Sequence, residues 1–393
     1  MPKKFHIFAN AALGKGLSGS DRIFIEFAKR LRQKHQVVIH IWKEGYEICK
    51  REGLDEGVSF EFIHVDNWCK LSFITCYLGR IIKAIWGVLF TNLENTKEVV
   101  LYSASEFWMD SLPPFVLKLR FPKAIWVVGA FQAAPNPIKG FTQGDREETY
   151  KFSAFIYWLM QLPIKPLAKK WADIVLVNNT SEKKQFKGLD KQNKVLVILG
   201  AVNVAQINQF NLKNKSEKIY DAVFQGRFHP QKGVVELISI WKLVTENNPN
   251  AQLAMIGDGP LIDKVKSKIK DLNMEKNIKL FGYVFDGPIK YKVFAQSKIV
   301  VHPSFYDSGG MASAEAMAFG IPCVGFDLES YRSYYPKGMI KVPVGNLNAF
   351  SDMVIELLEN KKKRDQIGNE AKEMINKDWS WDKRVDQLLA ALN

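Results

Sequence analysis

The stretch 305-FYDSGGMASAEAMAFG-320 decides how this chain is read. An apolar run ending in His302-Pro303-Ser304 precedes it, and a second apolar run at 321–326 follows it. It therefore reads as the passage from one strand, through a loop and a helix, to the next strand. Two acids, Asp307 and Glu315, are separated by seven residues within it. A Gly309-Gly310 pair and then a run of good helix formers lie between them, which places Asp307 on the loop and Glu315 two turns into the helix. A helix start presents free backbone N–H groups and the positive end of the dipole, which suits a phosphate. Glycines let a ligand approach that backbone closely. An acid in the following turns can reach hydroxyls of the same ligand. The expectation is a pocket for a sugar attached to a diphosphate. Strand, loop and amphipathic helix with a glycine opening also occur throughout α/β domains, so the wider pattern has to decide.

Outward from this stretch, the strongest companion is 223-VFQGRFHPQKG-233. A strand ends at Gln225-Gly226, Arg227 stands at its carboxyl end, and Lys232 follows five residues later at the start of a helix. Arg offers a planar fork for phosphate oxygens and Lys a second point charge. An exposed turn with solvated charges is the plainer reading of the same residues. His229, beside Arg227, is read as part of the turn. A third element, 255-MIGDGP-260, runs from a strand into a Gly-Asp-Gly turn with Pro260 near the first turn of a helix. The segment 280-LFGYV-284 follows another strand, and Phe281 and Tyr283 can stack on a base or fill the core.

The same grammar runs through the whole chain. In the first half, short apolar runs at 5–9, 37–42, 60–64, 99–102, 125–128, 174–177 and 195–198 alternate with helical patterns such as 21–34 and 107–119. In the second half, runs at 221–225, 252–256, 278–281, 299–302, 322–326 and 339–342 alternate with helices at 234–246, 260–272, 288–296 and 311–319. Such alternation predicts parallel sheets flanked by helices. The polar stretch 211–218 reads as a linker. The fold class is therefore α/β, two Rossmann-like doubly wound domains facing a central cleft. The expected bounds are 1–205 for the first domain and 206–378 for the second. Ligands of such sheets bind beyond the carboxyl ends of the strands.

Asp307 and Glu315 with their flanks, HPS before them and EAMAFGIPCVG from Glu315 onward, resemble the Glu-x7-Glu signature of retaining glycosyltransferases of family 4, which have the GT-B architecture. Asp307 replaces the usual first Glu. The 226–233 segment is similar to the family's G-R-x4-K-G element, and 257–260 to its G-x-G-P. The resemblance is specific over the second half and generic over the first. It implies a hexosyltransferase-type enzyme that retains the anomeric configuration. Its donor would be a nucleotide-diphosphate sugar bound mainly to the second domain, with no cofactor beyond that substrate. Arg227 and Lys232 would hold the diphosphate together with the Gly309, Gly310 and Met311 backbone. Glu315 would accept from the ribose hydroxyls, and Asp307 would hold the donor sugar. Gly257 and Tyr283 would line the nucleotide side. No metal is expected, since the cations carry the charge and no Asp-x-Asp motif is present.

In the first half, 12-ALGKGLSGSDR-22 joins the first strand to the first helix. It lacks Gly-Lys-Ser/Thr, so a Walker-type loop is not supported. By the resemblance, Gly16 and Gly19 border the donor phosphates. At 129-GAFQAAPNP-137 the family usually places a His close to the reacting sugar; here Phe131 and Gln132 stand on the acceptor side instead. In GT-B proteins the last helix usually returns to the first domain, which would bring residues 379–393 there.

The chain has 393 residues and a net charge of +14, enough length for two or three domains. Residues 1–200 carry 29 Lys and Arg against 19 Asp and Glu, so the excess is concentrated in the first half. No nucleic-acid-binding module is visible, so nucleic acid is not an expected partner. Segments 68–90 and 151–171 mix Trp, Phe and Leu with Lys and Arg, which suits an anionic membrane surface and a glycan or lipid-linked acceptor. Ordinary buried helices with solvated basic positions account for them equally well. No apolar run reaches 18 residues, so no transmembrane helix is expected. Cys49, Cys69, Cys76 and Cys323 show no metal spacing and read as reduced, inert thiols of a cytoplasmic chain, peripheral on the cytoplasmic face of the membrane. Two alternatives stay beside the favoured function: a GT-B protein that binds nucleotide sugar without turnover, and a transferase acting on a soluble or protein-bound glycan.

Overall fold

The computed structural model describes residues 2–12, 16–141, 150–213 and 216–392. The chain forms two units. The first comprises Met1–Ala134, Ile156–Gly200 and Trp381–Asn393; the second comprises Pro135–Phe155 and Ala201–Ser380.

The first unit holds a seven-stranded sheet: β1 (Lys4–Phe8), β2 (Gln36–Trp42), β3 (Ser59–Ile63), β4 (Val99–Ser103), β5 (Ile125–Gly129), β6 (Ile174–Val177) and β7 (Val195–Val197). Their order is β3-β2-β1-β4-β5-β6-β7, and every pairing is parallel. Strands with helices on both faces have no solvent side, so they read as continuous apolar runs rather than as alternation. All five residues of β4 are buried, as are the last four of β1, whereas the edge strand β3 has no fully buried residue.

The second unit repeats the plan with six strands: β8 (Tyr220–Gln225), β9 (Leu253–Ile256), β10 (Ile278–Gly282), β11 (Ser297–His302), β12 (Cys323–Phe326) and β13 (Met339–Val342). Their order is β10-β9-β8-β11-β12-β13, again all parallel. The core lies between these strands and two helices. Val234–Asn247 contributes Leu237, Ile238, Trp241 and Val244, and Leu347–Glu359 contributes Phe350, Val354 and Leu357. In each unit the first strand is central and the winding reverses beside it, between β1 and β4 and between β8 and β11. These reversals are the topological switch points, where loops diverge and a crevice opens at the carboxyl edge.

Three expectations are corrected. Residues 211–213 are not linker but the end of a helix, Val204–Lys213, within the second unit, and the division falls between Gly200 and Ala201. Residue 379 does not begin the C-terminal segment that joins the first unit. Trp379 stacks on Tyr335, ring centroids 5.4 Å apart, and stays with the second unit. The helix Trp381–Ala391 belongs to the first unit, where Arg30 Nε donates to Asp382 at 2.8 Å and Arg384 Nε to the Gly200 carbonyl at 3.3 Å. The four cysteines are not all thiols. The short helix Asp66–Cys69 turns back onto the helix Phe73–Leu89, and Cys69 and Cys76 form a disulfide. Cys49 and Cys323 are free and buried, and burial pushes both thiols up.

Candidate active site

β8 ends at Gln225, and Gly226-Arg227 carries the chain past the carboxyl edge of the sheet, leaving Arg227 exposed. His229 then opens a short 3-10 turn, Pro230–Lys232, its ring accepting the Gln231 N–H at 3.5 Å. Its role in the turn follows from that bond. At Gly233 φ is 63°, and a Cβ would stand 2.0 Å from the Pro303 carbonyl oxygen. Only glycine lets the start of the helix Val234–Asn247 close so tightly on the loop after β11. The same approach sets Lys232 beside Asp307, across the β8–β11 switch point.

Asp307 is the centre of the cluster. Its side chain is 6% exposed, and its Oδ2 takes the Lys232 ammonium, the Tyr331 hydroxyl at 2.9 Å and His302 Nε2 at 3.1 Å. Oδ1 accepts the Gly309 N–H at 3.3 Å, and the Ser330 hydroxyl donates to the Asp307 carbonyl at 2.7 Å. Burial works to raise the Asp307 carboxyl, but Lys232 and His302 outweigh it and hold it well below the usual carboxylate range. Burial lowers the His302 imidazole, so the ring is neutral near pH 7 and donates Nε2–H to the carboxylate. Burial, then the Asp307 charge, pushes the Tyr331 hydroxyl well up, so it donates too.

The helix after Gly309-Gly310 spans only Met311–Met317, and the Gly310 carbonyl takes the Tyr335 hydroxyl at 2.6 Å. Glu315 is 6% exposed. Its Oε2 lies 2.6 Å from the ammonium of Lys290, which is fully buried on the helix Pro288–Ala295 and also pairs with Asp286. The structure thus brings Lys232, Asp307, Gly309, Gly310 and Met311 together, with Arg227 on the adjoining strand end, and holds Glu315 by a residue the sequence reading did not single out. Gly257 and Tyr283 follow β9 and β10 on the same edge of the sheet. Gly257 has φ 147°, and a Cβ there would stand 1.9 Å from the Gly226 carbonyl oxygen, so close packing of two strand ends accounts for the glycine. Tyr283 is 42% exposed, edge-on to Phe285 at 5.0 Å.

The first unit has its own polar cluster at its switch point. Asp110 accepts the Asn10 N–H and the Ser105 hydroxyl, both at 2.5 Å, and burial raises its carboxyl to about 8. Glu106, after β4, accepts the backbone N–H groups of Phe131 and Gln132, each at 3.2 Å, and Gln161 Nε2 at 3.0 Å. Burial raises its carboxyl to about 7 against those bonds. The backbone of Phe131-Gln132 is therefore clamped. Phe131 is buried against Gly129, while the Gln132 side-chain amide nitrogen is buried with no hydrogen-bond partner among the described residues. Gly19 is the first residue of the helix Gly19–Leu31, capped by Ser18 and Asp21, and Gly16 is exposed just before it. Residues 13–15 of that glycine loop lie outside the described residues.

Lys290, His302, Tyr331 and Glu106 are the residues that sequence reasoning left without a role. Asp286 and Lys290 stand four apart, a readable helical pair, but nothing local connects Lys290 to Glu315 or Tyr331 to Asp307.

Two Rossmann-like units, the second with a buried cation–carboxylate cluster at its switch point, define a protein of the GT-B class. Solved structures support that fold over the full chain. A TarM variant from S. aureus, crystallised with fondaparinux, alpha-GlcNAc-glycerol and UDP, matches with a TM-score of 0.74 at 14% identity, covering 100% of both chains. Anabaena HepE in complex with UDP-glucose matches at 0.69 and 15%, covering 99% of each. Residues 204–374, which lie within the second unit, match the sequence model of the glycosyl transferases group 1. Among curated relatives, the poly(ribitol-phosphate) alpha-N-acetylglucosaminyltransferase of Staphylococcus aureus is 27% identical over 54% of this chain and 46% of its own length. The capsular polysaccharide biosynthesis glycosyltransferase CapM of S. aureus is 26% identical over 74% of this chain and 78% of its own. The chain thus spans about half of the first relative and about three quarters of the second.

Proposed function

We propose that this protein is a retaining glycosyltransferase that moves a sugar from a nucleotide-diphosphate donor to a hydroxyl of a lipid-linked or polymeric glycan. The observation that carries the reading is that Arg227, Lys232, Asp307 and Glu315 all stand at the carboxyl edge of the unit that matches the group 1 family. The relatives' names support the acceptor class, and the UDP and UDP-glucose complexes of the structural neighbours support the donor class.

In this reading Arg227 and Lys232 meet the diphosphate and stabilise its departing charge, the kind of preorganised electrostatics that is commonly the largest catalytic contribution. Lys232 arrives already oriented, because Asp307 holds its ammonium. Asp307 Oδ2 is fully engaged, so its first task is to position Lys232 and Gly309; capacity on Oδ1 remains for a donor-sugar hydroxyl. Glu315, held by Lys290, accepts from the ribose hydroxyls. The bond from the anomeric carbon to the β-phosphate oxygen breaks, and a new bond to the acceptor oxygen forms on the same face. The acceptor proton passes to the leaving phosphate, so no protein base is required and the absence of a His at Phe131-Gln132 costs nothing. The positive charge that meets the diphosphate comes from the Arg227 and Lys232 side chains.

The test is a thermal-shift screen of UDP-, GDP- and ADP-sugars, followed by slow donor hydrolysis measured as released nucleoside diphosphate. Stabilisation by one donor and hydrolysis that Arg227→Ala abolishes are the expected results. Binding without hydrolysis or transfer favours a nucleotide-sugar binder without turnover, and unchanged donor binding in Arg227→Ala overturns the site.

A further inference from the structure

Among the described residues, ten of the 22 exposed large hydrophobic side chains fall between Phe62 and Phe90, so the exposed apolar surface is concentrated. Most belong to the helix Phe73–Leu89. Its inner side buries Cys76, Gly79, Ile81, Ala84 and Val88. Its outer side carries Ile74, Leu78, Ile82, Trp86 and Leu89, exposed by 68, 44, 43, 62 and 40%. Steps of four, four, four and three residues put these five side chains on one line along the axis. At a rise of about 1.5 Å per residue the line is roughly 20–25 Å long. Leu71 extends it at one end and Phe90 at the other, 76 and 80% exposed. One side of the helix is packed on its own unit, and no helix among the described residues is long and apolar enough to cross a membrane. This helix lies on a surface or under a partner.

The charges beside the line select the occupant. Residues 67–93 contain Lys70, Arg80 and Lys83 and no acid. Arg80 is turned inward, over the Trp42 ring at 3.4 Å and bonded to the Asn10 and Ala12 carbonyls. Lys70 and Lys83 stay exposed. Arg120 joins them at the far end, its guanidinium bonded to the Val88 carbonyl at 2.6 Å. A second copy meeting this face across a two-fold axis would set these cations against themselves. An anionic lipid surface neutralises them, while Trp and aliphatic side chains suit the headgroup boundary.

We propose that the helix Phe73–Leu89 lies in the plane of an anionic bilayer surface, with Ile74, Leu78, Ile82, Trp86 and Leu89 inserted at the acyl boundary and Lys70, Lys83 and Arg120 against lipid phosphates. The proposal extends the acceptor side of the function above and rests on that reading only for its biological purpose. Binding itself is measured without any sugar nucleotide, so its failure and a failure of glycosyl transfer are scored separately.

The experiment is co-sedimentation of the full chain with phosphatidylcholine vesicles, with and without phosphatidylglycerol. The expected result is binding that requires phosphatidylglycerol and weakens with salt. Leu78→Ser/Ile82→Ser/Trp86→Ser should weaken it by about ten-fold or more, as should Lys70→Glu/Lys83→Glu, with unfolding temperature unchanged. Leu212→Ser/Ile219→Ser, which removes exposed apolar groups of the second unit, should bind as the parent does. No binding of the parent to anionic vesicles, or equal binding by the triple variant, overturns the proposal. So does a parent dimer in solution that the triple variant converts to monomer, because a second copy would then cover the face.

Discussion

Lys232 and Asp307 are 75 residues apart in sequence and share one buried contact, with His302 and Tyr331 on the same carboxylate oxygen. Removing one partner of a buried pair leaves the other charge without compensation. We predict that Lys232→Ala destabilises the second unit by about 3 kcal/mol. Lys232→Ala/Asp307→Asn should lose less than the single variant, because the orphaned charge goes with its partner. Urea unfolding of the four proteins measures the cycle. The first unit behaves in the opposite sense with pH. Asp110 rises from 3.8 to about 8 in the folded state, so the native protein keeps a proton that the unfolded chain releases. Its contribution is complete below pH 3.8 and is lost as pH climbs to about 8; Glu106 adds the same trend up to about 7. Asp307, held low, contributes above its unfolded value and is lost toward acid. We therefore predict that Asp110→Asn flattens the fall in first-unit stability between pH 5 and about 8. Calorimetry across that range would show an unchanged slope if Asp110 is not the group.

At the scale of elements, the parallel strands were legible because burial on both faces writes them as short apolar runs; β6 and β13 coincide with the runs at 174–177 and 339–342. The helix Val204–Lys213 was not legible. Its last residues, 211–213, read as linker, yet it forms because Ile207 is buried and Phe210 packs on Tyr291 and Phe319, at 5.8 and 6.2 Å between ring centroids. The disulfide was hidden for a similar reason, since a helix–turn–helix reversal at 70–72 is what brings Cys69 to Cys76. The helices Pro288–Ala295 and Met311–Met317 are joined by Lys290 and Glu315, which complicates any test of Glu315. If Glu315 itself meets the donor, Glu315→Gln should weaken donor binding more than Lys290→Met does at equal folded fraction. Equal losses would show that Glu315 acts by holding Lys290. Titration of the preferred nucleotide sugar into both variants decides between them.

At the scale of the molecule, two sheets of the same winding place the candidate groups at two switch points, and the last helix, Trp381–Ala391, is part of the first unit. Leu388 of that helix is 1% exposed. We predict that Leu388→Ala costs the first unit about 2–4 kcal/mol and lowers its unfolding transition. The second unit's transition should stay where it is. A calorimetric trace in which both transitions fall together would show that the units do not unfold independently. The sequence by itself determined the alternation of strands and helices, the two-unit plan and the stretches holding Arg227, Lys232, Asp307 and Glu315, because burial periodicity and glycine turns are local properties of a chain. Only the tertiary structure decided that Lys232 belongs to Asp307, Lys290 to Glu315 and Glu106 to the Gln132 backbone, and that one face of Phe73–Leu89 stays uncovered. Those pairings depend on which strand ends and helices become neighbours, and strand order is a property of the whole sheet that no local pattern carries.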